Sequence, residues 1–340
     1  MMTSNILEID AGRVIDEICE TIRSQVRSTL RKRGAVVAVS GGIDSSVCAA
    51  LSARAFGPDH VFALLLPERD SSPESIRLGT MAVKSLGVPF ASIDITQILE
   101  SMGCYQHQLD AIREVVPAYA TGWKHKITLP SLLDSDRLNL SRLTVETPAG
   151  ESLTYRMTAS AYTKLIAATN FKQRVRKTLE YFHADRLNYA VCGTPNRLEF
   201  DQGFFVKLGD GSADFKPIAH LYKSQVYMLA GELAIPQEIR ERPPTTDTFG
   251  LSQTQEEFYF ALPYQQMDLC LFALNHSMPA KEAAPLVGLT EAQVQSVFND
   301  IEAKRRATQS LHVPPLLARE VPEIEQRLKA LFDSHEGGKS

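Results

Sequence analysis

The chain has 340 residues, of which 44% are hydrophobic, and a formal net charge of −4. That length holds one large α/β domain with additions, or two domains. The acidic balance argues against a nucleic-acid partner, and no apolar run approaches the ~20 residues of a membrane span.

Met1 to Arg13 contains acidic residues and no apolar h-region, so no signal peptide is expected. Apolar residues at three- and four-residue steps predict a helix over Ile6–Arg33. Strands are predicted at Ala35–Val39, Val61–Leu66 and Phe90–Ile95. Between the last two, Ser71 and Glu74 have capping-box spacing, with Pro73 in the first turn of a helix that Gly87 stops. Alternating strands and helices predict a doubly wound, mostly parallel sheet flanked by helices. The rhythm breaks over about 104–157. There the chain reads as a helix, a polar leucine-rich stretch and a hairpin pairing Leu143–Glu146 with Leu153–Arg156. A long helix is predicted over Ala159–His183 and a core strand over Asn188–Cys192. From Gly250 to about 330 the chain reads as helical, with Thr290 and Gln293 opening a helix to about Arg306. Residues 1–330 are read as a single domain and 331–340 as a disordered tail. The five cysteines, Cys19, Cys48, Cys104, Cys192 and Cys270, have no CxxC spacing, which points to reduced thiols and a cytoplasmic protein.

The segment Val36–Ser46 carries the most chemistry. A β-branched run stops at Ser40-Gly41-Gly42, followed by Asp44, Ser45, Ser46 and a helix-like run. Backbone N–H groups of such a turn and the helix dipole favour an anion. Asp44 would repel phosphate unless a divalent cation lay between them. The parts point to a Mg²⁺-bound polyphosphate. The Gly-Lys-[Ser/Thr] ending of a P-loop is absent.

This segment resembles the Ser-Gly-Gly-x-Asp-Ser loop of the ATP pyrophosphatase superfamily, whose members cleave ATP between the α and β phosphates. From Ala35 onward the chain resembles the ammonia-dependent NAD synthetases. Leu66-Pro67 followed by Ser71-Ser72, Asn170–Arg176, Gly193–Glu199, Gly203–Asp214, Pro217–Val226 and Pro244–Asp247 follow that family's motifs in order. The resemblance implies an adenine nucleotide alpha-hydrolase-like fold with a five-stranded sheet. It implies amidation of deamido-NAD through an acyl adenylate, with ATP as co-substrate and Mg²⁺ as cofactor. It implies a homodimer that binds deamido-NAD near the dimer interface.

Residue by residue, the resemblance assigns ATP to Ser40, Gly41, Gly42, Asp44, Ser45, Ser46, Thr194, Lys223 and Thr245. It assigns the metal to Asp44 and Glu199, and catalysis to Asp44, Glu199 and Lys223. It assigns deamido-NAD to Arg174, Phe205, Lys207, Asp214 and Lys304. Other readings stand beside these: Lys172–Lys177 as a solvated basic face, and Phe204 and Phe205 as core aromatics.

Three departures from the family pattern stand out. The segment between Ile95 and Asn170 is longer. Glu256–Tyr264 is more aromatic. The terminal His-Lys-Arg reads Ala303-Lys304-Arg305. No glutaminase segment is recognised, so ammonia is expected free or from a separate glutaminase. A ligase for another carboxylate and an RNA-thiolating enzyme are the competing readings; the latter needs reactive cysteines.

Overall fold

The computed structural model describes residues 6–128, 141–245, 249–251 and 253–336. The first helix, α1, spans Ala11–Ser24 and not Ile6–Arg33. Asp10 sets its start by accepting a hydrogen bond from the Arg13 amide at 3.0 Å. A π-helical turn, Gln25–Thr29, follows it. Strand β1 (Ala35–Ala38) feeds α2 (Ile43–Phe56), and β2 (Val61–Leu65) leads to α3 (Pro73–Ser85). The N-cap of α3 is Ser72 rather than Ser71, because Pro73 must occupy the first helical position. Ser71 instead accepts from the Glu68 amide. Strand β3 is short, Phe90–Ser92, and is followed by α4 (Thr96–Ser101) and α5 (Cys104–Arg113).

Strands β4 (Lys124–Thr128), β5 (Arg142–Glu146) and β6 (Ser152–Arg156) form a separate antiparallel sheet. The hairpin was legible in the sequence and β4 was not. Its alternation is hidden by Lys124, His125 and Lys126, of which the histidine faces inward. The leucine-rich stretch lies mostly outside the described residues.

Helix α6 (Ala159–Leu187) ends where Asn188 adopts a left-handed conformation. Then come β7 (Ala190–Val191), α7 (Arg197–Gln202), α8 (Lys223–Glu232) and α9 (Gln237–Glu241). The C-terminal region is helical as expected: α10 (Tyr264–Asn275), α11 (Ala280–Val287), α12 (Glu291–His312) and α13 (Pro322–Glu336). Helix α12 runs past Arg306. Helix α13 continues to Glu336, into the segment expected to be disordered.

The main sheet is parallel, in the order β3-β2-β1-β7. In place of the fifth strand of the expectation, the described residues give one parallel bridge between Cys192 and Phe215. The reason is local. The outward amide of Val191 donates to the Asp214 carboxylate at 2.7 Å, so a side chain takes the place of a strand carbonyl. Helices α1, α2 and α8 cover one face with a core that includes Ile15, Ile22, Val47, Leu51 and Leu229. The other face, with Val36, Leu64 and Val191, packs against α4, α5 and α6. A separate core under β4–β6 holds Ile112, Ile127, Leu143, Val145, Leu165 and Phe249.

His125 makes that small core sensitive to acid. Its ring is buried, with one nitrogen 3.0 Å from the Tyr119 hydroxyl. Burial pushes its pKa down to about 4, the nearby charges of Asp70, Lys172 and Arg69 partly cancelling. An unfolded histidine takes its proton near 6.5, whereas the folded one stays neutral until about 4. Stability is therefore present above pH 6.5 and lost as pH falls to 4, by roughly 3 kcal/mol in total. Urea unfolding at pH 7 and pH 4.5 checks this: His125→Gln is expected to shrink the acid-induced fall in midpoint.

Candidate active site

The carboxyl ends of β1, β2 and β7 open into a cavity of about 620 Å³, which is where parallel sheets bind their ligands. The Ser-Gly-Gly turn forms its floor. Ser40, Gly42, Asp44 and Ser45 line it, and Ser45 Oγ receives the Ser40 amide at 3.1 Å while donating to the Gly42 carbonyl at 3.0 Å. Gly41 and Ser46 do not line the cavity. Gly41 has φ +81°, and a Cβ there would stand 2.4 Å from the Ser75 carbonyl, so glycine is needed for the turn to touch α3. Ser46 is buried and donates to the Gly42 carbonyl at 2.9 Å, which stiffens the start of α2.

At the centre stand Asp44, Glu199 and Lys223. Asp44 is in the first turn of α2 and Lys223 opens α8; their side chains form a direct ion pair. Glu199 lies in the first turn of α7, where it makes a capping box with Asn196. One Glu199 oxygen accepts the Asn196 amide at 3.0 Å, and the other accepts from Gln255 Nε2 at 2.8 Å. The Asn196 side chain donates to Asp44 at 3.1 Å and so ties the two acids together. Burial, reinforced by Asp44, pushes Glu199 up to about 8. Burial alone would lower the Lys223 pKa, but Asp44 and Glu199 outweigh it and leave it raised. The Lys223 ammonium thus pairs directly with Asp44, while Glu199 attracts it from further off.

No cluster of three His, Cys, Asp or Glu able to hold a metal occurs among the described residues. Magnesium usually takes one or two carboxylates and completes its shell with water and substrate phosphates. The pair Asp44 and Glu199 fits such a cation arriving with a nucleotide.

Lys223 is fixed from behind. Asp268, on α10, accepts from the amides of Lys223 and Ser224 at 3.1 and 2.7 Å and from the Ser224 hydroxyl at 2.6 Å. Burial pushes Asp268 up to about 6, despite those donors. It acts as a remote cap for α8. Asp268→Ala is expected to cost about 1–2 kcal/mol, read as a lower urea midpoint, and Asp268→Asn to cost less.

Thr194, Thr245, Arg174, Phe205 and Lys207 also line the cavity. Lys207 reaches the carbonyls of Ser310 and Val313 at 2.7 and 3.2 Å, and so ties down the end of α12. Phe205 stacks on Phe200 at 6.0 Å. Besides Gly41 and Ser46, two further assigned residues are absent from the cavity wall. Asp214 serves the sheet edge described above. Lys304 is largely buried, paired with Asp300 at 2.6 Å and bonded to the Tyr259 carbonyl. The Lys172–Lys177 run is not a solvated face. Lys172 is buried between Glu68 and Asp70, each at 2.8 Å, and Lys177 pairs with Glu180 at 2.7 Å. The cysteines that an RNA-thiolating reading needs are all buried.

Sequence reasoning missed Asn196, Gln255 and Asp268. Asn196 was findable, since asparagine three residues before a glutamate is a capping-box pattern. Gln255 and Asp268 carried no local signal, because their partners lie 56 and 44–45 residues away.

The family model for NAD synthase matches residues 14–117 and 137–308. The NH3-dependent NAD+ synthetase of Mesorhizobium japonicum is 57% identical over 318 residues, covering 94% of this chain and 100% of its own length. The corresponding protein of Rhizobium meliloti is 56% identical over 325 residues, covering 96% and 97%. Among solved structures, the NMN synthetase of Francisella tularensis superposes with TM-score 0.63 at 19% identity, over 92% of this chain and 100% of that one. The NH3-dependent NAD synthetase of Campylobacter jejuni gives 0.60 at 21%, with the same coverage. At those identities the two structures speak for the fold, which is the adenine nucleotide alpha-hydrolase fold. The sequence matches go further, and on them the chain belongs to the NAD synthase family.

Proposed function

We infer that the chain is a C–N bond-forming ligase that amidates deamido-NAD to NAD with ammonia, at the expense of ATP. The relatives at 55–57% identity over 94–96% of the chain carry this reading. The nicotinate carboxylate attacks the α-phosphorus of ATP, giving an acyl adenylate and pyrophosphate. Ammonia then attacks the acyl carbon and AMP leaves.

The roles of the residues are our assignment. The Ser40–Ser45 turn aims its amides at the phosphates, and Lys223 neutralises charge on the leaving pyrophosphate. Asp44 and Glu199 would hold Mg²⁺, which supplies charge neutralisation when bound. Thr194 and Thr245 bracket the nucleotide. Arg174, Phe205 and the Lys207 backbone face the acceptor. The placement of the cavity at the carboxyl ends of the strands supports these roles. We further propose one domain over 1–330, a homodimer, a cytoplasmic setting suited to five unpaired cysteines, and ammonia taken free or from a separate glutaminase.

The test is product analysis with ATP, Mg²⁺ and ammonium. AMP is expected only with deamido-NAD, in step with NAD. AMP formed equally well without it, or with nicotinate mononucleotide in its place, would sink the assignment.

A further inference from the structure

The insertion and the catalytic glutamate are joined by one short segment. Residues 249–251 and 253–260 touch β4 on one side and Glu199 and Phe204 on the other. On the sheet side, the Leu251 amide donates to the His125 carbonyl at 3.3 Å, and Gln253 Nε2 donates to the Ile127 carbonyl. Lys126 pairs with Glu257 at 3.0 Å. Phe249 is buried in the insertion's core, with its ring 5.5 Å from both His125 and Phe258. On the cavity side, Phe258 meets Phe204 at 5.8 Å, Tyr259 stacks on Phe204 at 4.5 Å, and Gln255 donates to Glu199. Gln255 and Phe258 both line the cavity.

Two independent features show that this path is built. Phe249, Leu251, Gln253 and Glu257 attach the segment to β4 by ring, backbone, side-chain and ionic contacts. On its other side the half-buried side-chain amide of Gln255 donates to Glu199, the second carboxylate of the site. Gln255 leaves only one way for that oxygen of Glu199 to point, while the Asn196 amide fixes the other.

We propose that the insertion is a clamp: β4 holds residues 249–251 and 253–260 in place, and through them Gln255 is a positioning residue that orients the Glu199 carboxylate. The claim rests on the ligase reading for its catalytic consequence, but the clamp itself is a property of the ligand-free chain. A segment tied down on a rigid sheet spares the site the ordering entropy that a loose loop would lose on each turnover.

Hydrogen exchange of the ligand-free protein tests the clamp without substrate. Gln253→Met keeps the side-chain volume and loses the bond to Ile127. It is expected to raise amide exchange across 253–260 by about tenfold, with α10–α12 and β1–β2 unchanged as the control for folding. Phe249→Ala is expected to do the same more strongly. Gln255→Met should leave exchange on β4 unchanged, lower kcat about tenfold or more, and leave KM for deamido-NAD within about twofold. Unchanged exchange in both clamp variants overturns the proposal. So does a Gln255→Met enzyme with native kcat. Because exchange is read without substrate, it decides the clamp even where no NAD forms.

Discussion

Asp44→Ala is expected to lower pyrophosphate release by at least about 10²–10³-fold, the scale set by removing one preorganised charge from a transition state. The same change is expected to leave the fold largely intact. Glu199 also attracts Lys223, so removing Asp44 still leaves the buried ammonium an acid nearby. It also relieves Glu199 of the neighbour that helps burial raise its pKa. The effect should therefore fall on chemistry far more than on the urea midpoint. Single-turnover release of pyrophosphate separates the two, and native turnover in the variant would remove Asp44 from the site.

What the sequence made legible was local. The Val36–Ser46 run announced a strand, a turn and a helix start because each step is governed by neighbours in the chain: β-branched residues, glycines, then hydroxyls at a helix N-terminus. Its position at the mouth of a parallel sheet followed from the βαβα rhythm. What stayed hidden was whatever depended on a partner far along the chain. The run Lys172–Lys177 looked like a solvated basic face because Glu68, which buries Lys172, lies 104 residues away. Asp214 and Lys304 matched family positions by motif. In the fold, one completes a sheet edge and the other is occupied by Asp300 and the Tyr259 carbonyl. The insertion was visible as a break in rhythm. Its third strand was masked by a polar surface alternation, and its link to Glu199 by the non-local path through Phe249 and Phe258.

Lys223→Met should have the larger structural effect, and the reason is the charge count of the site. Lys223 is 2% exposed in its side chain, pairs with Asp44 and is kept charged by Asp44 and Glu199 together. Methionine fills the stem's volume but leaves Asp44 without the counter-charge it pairs with. Breaking a buried pair in this way costs about 3–5 kcal/mol. Activity should be lost as well, since the same ammonium is assigned to the phosphates. The two losses are separable by a double variant. Asp44→Asn with Lys223→Met removes both charges of the ion pair and leaves two neutral side chains of similar size. It is expected to recover about half or more of the stability lost by Lys223→Met alone, with a coupling of about 2 kcal/mol, and to recover no activity. Urea denaturation of the four proteins in that cycle is the measurement. Strict additivity would mean that Lys223 supports the fold through its packing and not through Asp44.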